Sequence, residues 1–202
     1  MNAVTDNATL LPAWNDSVHD AQAVFRCVLK ALSEPGLVIE LPLAPPSPPP
    51  LHAATTALCL SLLDFETPVW LDQRAGSPAV AGYLRFHCGA PIVEQRAQAA
   101  FAVIADPQDG LNMSEFSQGE LAYPDRSATL LLQVDSLSDG EQRILRGPGI
   151  AGTRSIAIAG LPAGFEDGWR QNAAQFPLGV DIVFCCGRQI LGLPRSSQFS
   201  KD

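Results

Sequence analysis

The chain is short of lysine. Only Lys30 and Lys201 occur among its 13 basic residues, the rest being arginine. Charge as a whole is scarce too: charged residues make up 17% of 202, against about 25% in an average globular chain. Acidic residues outnumber basic ones, 21 to 13, for a net charge of −8. An acidic chain without a basic patch is a poor nucleic-acid binder, because phosphate neutralisation requires clustered cations. No apolar run approaches the roughly 18 residues of a membrane span; the longest, Ala57 to Leu63, is broken by Ser61. The first 20 residues hold no basic region followed by an apolar one, and the first charge is Asp6, so no secretory signal is legible. Five cysteines (Cys27, Cys59, Cys88, Cys185, Cys186) form no C-x-x-C and suit neither a disulfide framework nor a zinc site. Free thiols in a reducing cytoplasm are expected.

Signature motifs are missing as well. There is no G-x-S-x-G elbow, no H-E-x-x-H and no G-K-[ST]. The glycine run G-P-G-I-A-G at 147–152 contains Pro148, which lacks the N–H a phosphate cradle would use, so a tight turn between strands is expected. Neither lysine suits a Schiff base. Lys30 lies about 140° round its helix from Phe25, toward solvent, and Lys201 is one residue from the end of the chain.

What is present reads as alternating helices and strands. A leader over 1–15 precedes a helix capped by Asp16 or Ser17, with Ala21, Phe25, Val28, Leu29 and Leu32 on its apolar face and Pro35-Gly36 at its end. Gly36 to Leu41 reads as a strand. Six prolines within 42–50 demand an irregular surface loop. Helices are expected over 51–63, 78–88 and 163–174, with a short one near 111–116. Strands are expected over 67–71, 101–105, 129–137, 143–145 and 154–159, and a hairpin joins 181–185 to 189–193. The pattern means one α/β domain over 16–197 with a mixed sheet, then a tail at 198–202. His87, on an apolar stripe with Val80, Tyr83 and Leu84, is either a satisfied core imidazole or a cleft residue. Arg85 lies off that stripe, free to hold an anion or to be solvated. Asp181, at a strand start, is a site residue or a turn former.

Six ordered segments resemble one family: Asp20 to Gly36 (D-A-Q-A-V-F-R-C-V-L-K-A-L-S-E-P-G), T-P-V-W-L at 67–71, L-R-F-H at 84–87, G-P-G-I at 147–150, F-P-L-G-V-D at 176–181 and L-P-R at 193–195. They are similar to the PhnH family, the H subunit of the bacterial carbon–phosphorus lyase system. That resemblance implies an α/β sandwich related to pyridoxal-phosphate-dependent transferases but lacking the cofactor lysine, and so no cofactor. It implies assembly with G, I and J subunits, and a homodimer when alone. It places the chain in the step where a phosphonate displaces adenine from C1′ of ATP to give a ribose 1-phosphonate 5-triphosphate, with no turnover expected from the chain by itself. The polar members of the matching segments are Arg26, Ser33, Glu34, Arg85, His87, Asp181 and Arg195, candidates for a cleft or a subunit contact. A stand-alone transferase would instead need Arg26, Arg85, His87 and Asp181 to converge.

Overall fold

A computed structural model describes residues 10–200. Its centre is a seven-stranded sheet in the order β1-β11-β10-β7-β4-β2-β3. The strands are β1 (Val38–Glu40), β2 (Val69–Leu71), β3 (Ile92–Val93), β4 (Phe101–Ile104), β7 (Thr129–Gln133), β10 (Asp181–Cys186) and β11 (Gln189–Leu193). From β10 to β3 all neighbours are parallel, while β11 and β1 add antiparallel pairings at one edge. The sheet is therefore mixed, as expected.

Its middle strands are apolar on both sides, which suits a parallel sheet covered on both faces. Val103, Leu131, Val183, Cys185 and Ile190 face one core; Ala102, Ile104, Leu130, Leu132, Ile182 and Phe184 face the other. Three helices cover the first: α1 (Ser17–Ser33), α2 (Ala53–Leu62) and α3 (Pro78–His87). The second is covered by α4 (Phe165–Ala174) and by a three-stranded sheet of β8 (Gln142–Arg146), β9 (Arg154–Ala157) and β12 (Gln198–Phe199). A hairpin of β5 (Gln118–Glu120) and β6 (Tyr123–Ser127) completes the described strands. The 147–152 glycine run is the turn between antiparallel β8 and β9, as its composition suggests. Among the described residues no helix is long and apolar enough to cross a membrane.

Two differences from the sequence reading have physical causes. Phe25 and Leu29, expected on the buried face of α1, are exposed; Val28 is buried as expected, with Val24 and Ala31 beside it in place of those two. The helix backbone lies directly on β11: a Cβ on Gly192 would come within 2.4 Å of the Ala31 carbonyl oxygen. So close an approach favours the face with the smaller side chains and turns the bulky ones outward. Gln198 and Phe199, expected in a tail, form β12 because β8 offers a free edge and Phe199 packs against Phe165. The leader is described from Leu10 onward, where Trp14 packs against the helical core and the Pro12 and Leu11 carbonyls accept from Tyr83 Oη (3.3 Å) and His87 Nε2 (2.9 Å). Lys201 lies outside the described residues.

Candidate functional site

The seven candidate residues fall into separate places. Asp181 and Arg195 meet: Arg195 Nε donates to Asp181 Oδ1 at 3.0 Å, its Nη2 to Oδ2, and its backbone N–H to Oδ1 at 2.8 Å. Arg195 Nη1 also donates to the Pro124 carbonyl at 2.9 Å and the Pro177 carbonyl at 3.4 Å. The pair thus ties the strand order together, joining β10, the chain after β11 and the β5–β6 hairpin. Its donors and acceptors are spent within the fold.

Ser33 and Glu34 close α1. Ser33 Oγ donates to the Lys30 carbonyl, and Arg154 Nη1 donates to the Glu34 and Pro35 carbonyls at 2.9 and 2.7 Å. These are helix-end oxygens without partners inside the helix, and a cation there is favoured by the helix dipole as well. Gly149, with φ +80°, lies so close that a Cβ would sit 2.0 Å from the Ser33 carbonyl oxygen. Two of the quoted segments, S-E-P-G and G-P-G-I, therefore touch each other. Their glycines serve packing.

His87 packs at a tilt of 54° against the Tyr83 ring, centroids 4.4 Å apart, with its Nε2 toward the Leu11 carbonyl. Arg26 on α1 and Arg85 on α3 are exposed, and among the described residues neither side chain forms a hydrogen bond or ion pair. No bond joins any two of Arg26, Arg85, His87 and Asp181 among the described residues. Lys30 is exposed at the last turn of α1 as expected, but because it lies about 130° round from the Val24, Val28 and Ala31 face, since Phe25, the expected centre of the buried face, is itself exposed.

Asp181 and Arg195 also line an open depression of about 360 Å³ with Pro124, Phe176, Pro177 and Ser196, but a more enclosed cleft lies elsewhere. Open parallel sheets form a crevice where connections leaving adjacent strands go to opposite faces, beyond the carboxyl ends of those strands. Here the chain leaving β2 enters α3 on the helical side, and the chain leaving β4 crosses the other side toward β7. Between them opens a cleft of about 130 Å³, lined by His52, Arg74, Asp106, Gln108, Gln133 and Asp135 among others. It continues onto a shallow shelf formed by Gln73, Arg74, Asp106, Gln108 and Asp109.

The cleft has a built floor. Asp72, 5% exposed, accepts from Ala75 N at 2.6 Å and from Asp106 N at 2.7 Å, locking the loops after β2 and β4 together. Gln133, 4% exposed, accepts from His52 N at 2.6 Å and Thr55 Oγ1 at 2.9 Å and donates to the Pro50 carbonyl. Asp106 and Arg74 form a loose pair at 4.0 Å, and Gln108 donates to the Gly160 carbonyl. The walls offer an imidazole, a guanidinium, carboxylates and amides, but no serine or cysteine side chain. Such a set can hydrogen-bond a small polar ligand; it holds no nucleophile paired with a base. Among the described residues no group of three or more His, Cys, Asp or Glu is placed to hold a metal ion.

None of the cleft residues was singled out by sequence. Asp72, Arg74, Asp106 and Gln108 directly follow two legible strands, which is a signal, but which strands lie side by side is a tertiary fact.

The thiols carry no reactive signature. Burial pushes Cys88 and Cys185 up to about 12 and Cys59 well above its usual range. Thiolates, the reactive form, are suppressed there.

A model of the family described as bacterial phosphonate metabolism protein (PhnH) matches residues 12–200. The chain is 36% identical over 190 residues to the alpha-D-ribose 1-methylphosphonate 5-triphosphate synthase subunit PhnH of Rhizobium meliloti, covering 94% of this chain and 95% of that one. It is 28% identical over 182 residues to a putative C-P lyase subunit protein, HtxG, of Stutzerimonas stutzeri, covering 89% and 85%.

Proposed function

The chain belongs to the bacterial phosphonate metabolism protein (PhnH) family, and from that membership we propose that it is a subunit of a carbon–phosphorus lyase system. Its place is in ribose 1-methylphosphonate 5-triphosphate synthesis, where phosphonate is transferred to C1′ of ATP and adenine leaves. The observation that carries this reading is the 36% identity running nearly end to end in both chains with a subunit of that synthase.

The geometry supports a contributing subunit. Asp181 and Arg195 spend their charges on each other, the His87 ring bonds a backbone carbonyl, and Ser33 and Glu34 close a helix. The cleft beyond β2 and β4 is where a small polar ligand of the shared reaction would meet this chain, against the side chains of His52, Arg74, Asp106 and Gln108. Bond making and breaking then rest on groups from other subunits. The G, I and J subunits are the partners of this reading, the cytoplasm its compartment and a homodimer its state alone. Kinship of the sheet with pyridoxal-phosphate-dependent transferases belongs to the same reading, with Lys30 facing solvent.

The test is adenine release from ATP in the presence of methylphosphonate. Adenine should appear with the G, I and J subunits and their ATPase-like helper present, fall to background when this chain is omitted, and stay at background for this chain alone. Robust release by the purified chain overturns the reading.

A further inference from the structure

Outside the cleft, charge and exposed apolar surface coincide in one place. Eight of the twelve Lys and Arg side chains among the described residues are engaged within the fold: Arg74, Arg96, Arg143, Arg170 and Arg195 by carboxylates, Arg154 and Arg188 by carbonyls, Arg126 by the Tyr123 ring. Four side chains have no ion pair, hydrogen bond or ring contact: Arg26, Lys30, Arg85 and Arg146. Three of these four lie on the outer helices α1 and α3. In a chain of net charge −8, the helical side is where unneutralised positive charge is concentrated.

Beside those cations the helix α1 presents a bulky apolar stripe to solvent. Val18, Phe25 and Leu29 are 72%, 43% and 52% exposed. At 100° per residue they fall within a strip about 40° wide, and at 1.5 Å per residue it runs for roughly 17 Å. Arg26 and Lys30 follow Phe25 and Leu29 directly and flank the strip. Asp20, the carboxylate within α1, accepts from the Asp16 N–H at the helix start. The face is thus apolar along its crest and cationic on one flank, with its anion held at the far end.

We propose that the outer face of α1, with Val18, Phe25 and Leu29 as anchors and Arg26 and Lys30 as its rim, is the surface on which this chain docks onto another subunit of the phosphonate-processing assembly, through a face that is apolar and edged by Asp and Glu. The proposal rests on the functional reading above and adds the surface and the chemistry of its partner. Spacings of seven and four residues are those by which a helix seats in a groove. Apolar anchors at the centre of such a contact supply affinity, while rim charges govern the rate of encounter.

The test uses co-expressed, immobilised G, I and J subunits of the same system and the full chain in solution. Phe25→Asp and Leu29→Asp are each expected to weaken binding by about thirtyfold or more. Arg26→Glu with Lys30→Glu is expected to slow association by about tenfold at low salt, a gap that closes near 0.5 M salt. Arg146→Glu makes the same kind of charge change on β8, in the opposite layer, and is expected to leave binding within about twofold. The altered side chains are exposed, so unfolding midpoints should stay near wild type. Should Phe25→Asp fail to fold, Leu29→Asp and the charge variants still decide the matter. Wild-type binding by the α1 variants overturns the surface. So does a variant that turns a dimer into a monomer yet binds the subunits normally, since the face would then belong to a second copy. Failure of the wild-type chain to bind any of the three overturns the functional reading and this partner with it.

Discussion

Arg195→Ala should lower thermal stability substantially, and the structure sets the size. The substitution removes two charge-assisted bonds to Asp181 and two to the Pro124 and Pro177 carbonyls. Breaking a fully buried ion pair by deleting one partner costs about 3–5 kcal/mol, because the survivor is left charged and desolvated. Here the side chains are 13% and 19% exposed, and Asp181 keeps the backbone N–H of residue 195 at 2.8 Å. The cost therefore falls to about 2–3 kcal/mol. For a chain of this size, at about 2–4 °C per kcal/mol, the midpoint should drop by about 5–10 °C. Asp181→Asn keeps an oxygen for the backbone N–H and for Nε, losing only the Nη2 bond in full, so its loss should be about half as large. Calorimetry on both variants, with and without about 0.5 M salt, measures this; a largely buried pair should remain costly to break at high salt. A midpoint shift under about 1 °C refutes the reasoning. So does a clear rise of the wild-type midpoint with millimolar methylphosphonate that Arg195→Ala abolishes, since Arg195 would then be holding an anion.

Glycine substitutions should move stability in opposite directions. Gly192→Ala drives a methyl to within 2.4 Å of the Ala31 carbonyl and should cost about 2 kcal/mol or more, as α1 is forced off the sheet. Gly82→Ala, inside α3 with nothing within 4 Å, should instead add about 0.5–1 kcal/mol. Urea titrations distinguish the two, and a stabilising Gly192→Ala would show that the helix does not lie on β11. In alkali, the thiols Cys88 and Cys185 stay protonated in the folded chain up to about 12, while the unfolded chain releases their protons from about pH 9. The folded state then binds more protons, so stability is complete below pH 9 and declines as pH rises from 9 toward 12. Unfolding midpoints across that window should fall, and Cys185→Ser should flatten the decline. Arg154→Ala should strip the Pro35 carbonyl of its donor, leave the Glu34 carbonyl only the Leu37 N–H at 3.1 Å, and cost about 1–2 kcal/mol, with fraying of the end of α1 seen by hydrogen exchange.

The ordered segments from Asp20 to Arg195 pointed to the family, and alternation of helical and strand periodicities placed the four α-helices and the longer strands but missed β3, the β5–β6 hairpin and β12. Those signals are local: a glycine turn between strands, a capped helix or a hairpin around Gly187-Arg188 depends on residues a few positions apart. The same locality explains the misplaced face of α1. Periodicity chose Phe25 and Leu29 for the core because they fall four and eight residues after Ala21 on one apolar stripe, whereas burial was decided by how closely the helix could approach Gly192, more than 160 residues away. Likewise Asp181 and Arg195 could each be listed as polar motif members, but that they neutralise one another depends on β10 and β11 forming a hairpin whose open ends adjoin.

By itself, then, the sequence determined the class of fold, the scarcity of lysine that leaves only an exposed Lys30 within the fold, and the family. Tertiary structure alone decided where the sheet reverses its connections and so where a cleft opens, which of the eleven arginines are spent inside the fold, and that two of the unspent ones stand beside exposed phenylalanines on the helical side. The reason is physical. Elements form from neighbours in the chain, but the neutralisation of a charge and the covering of an apolar face depend on neighbours in space.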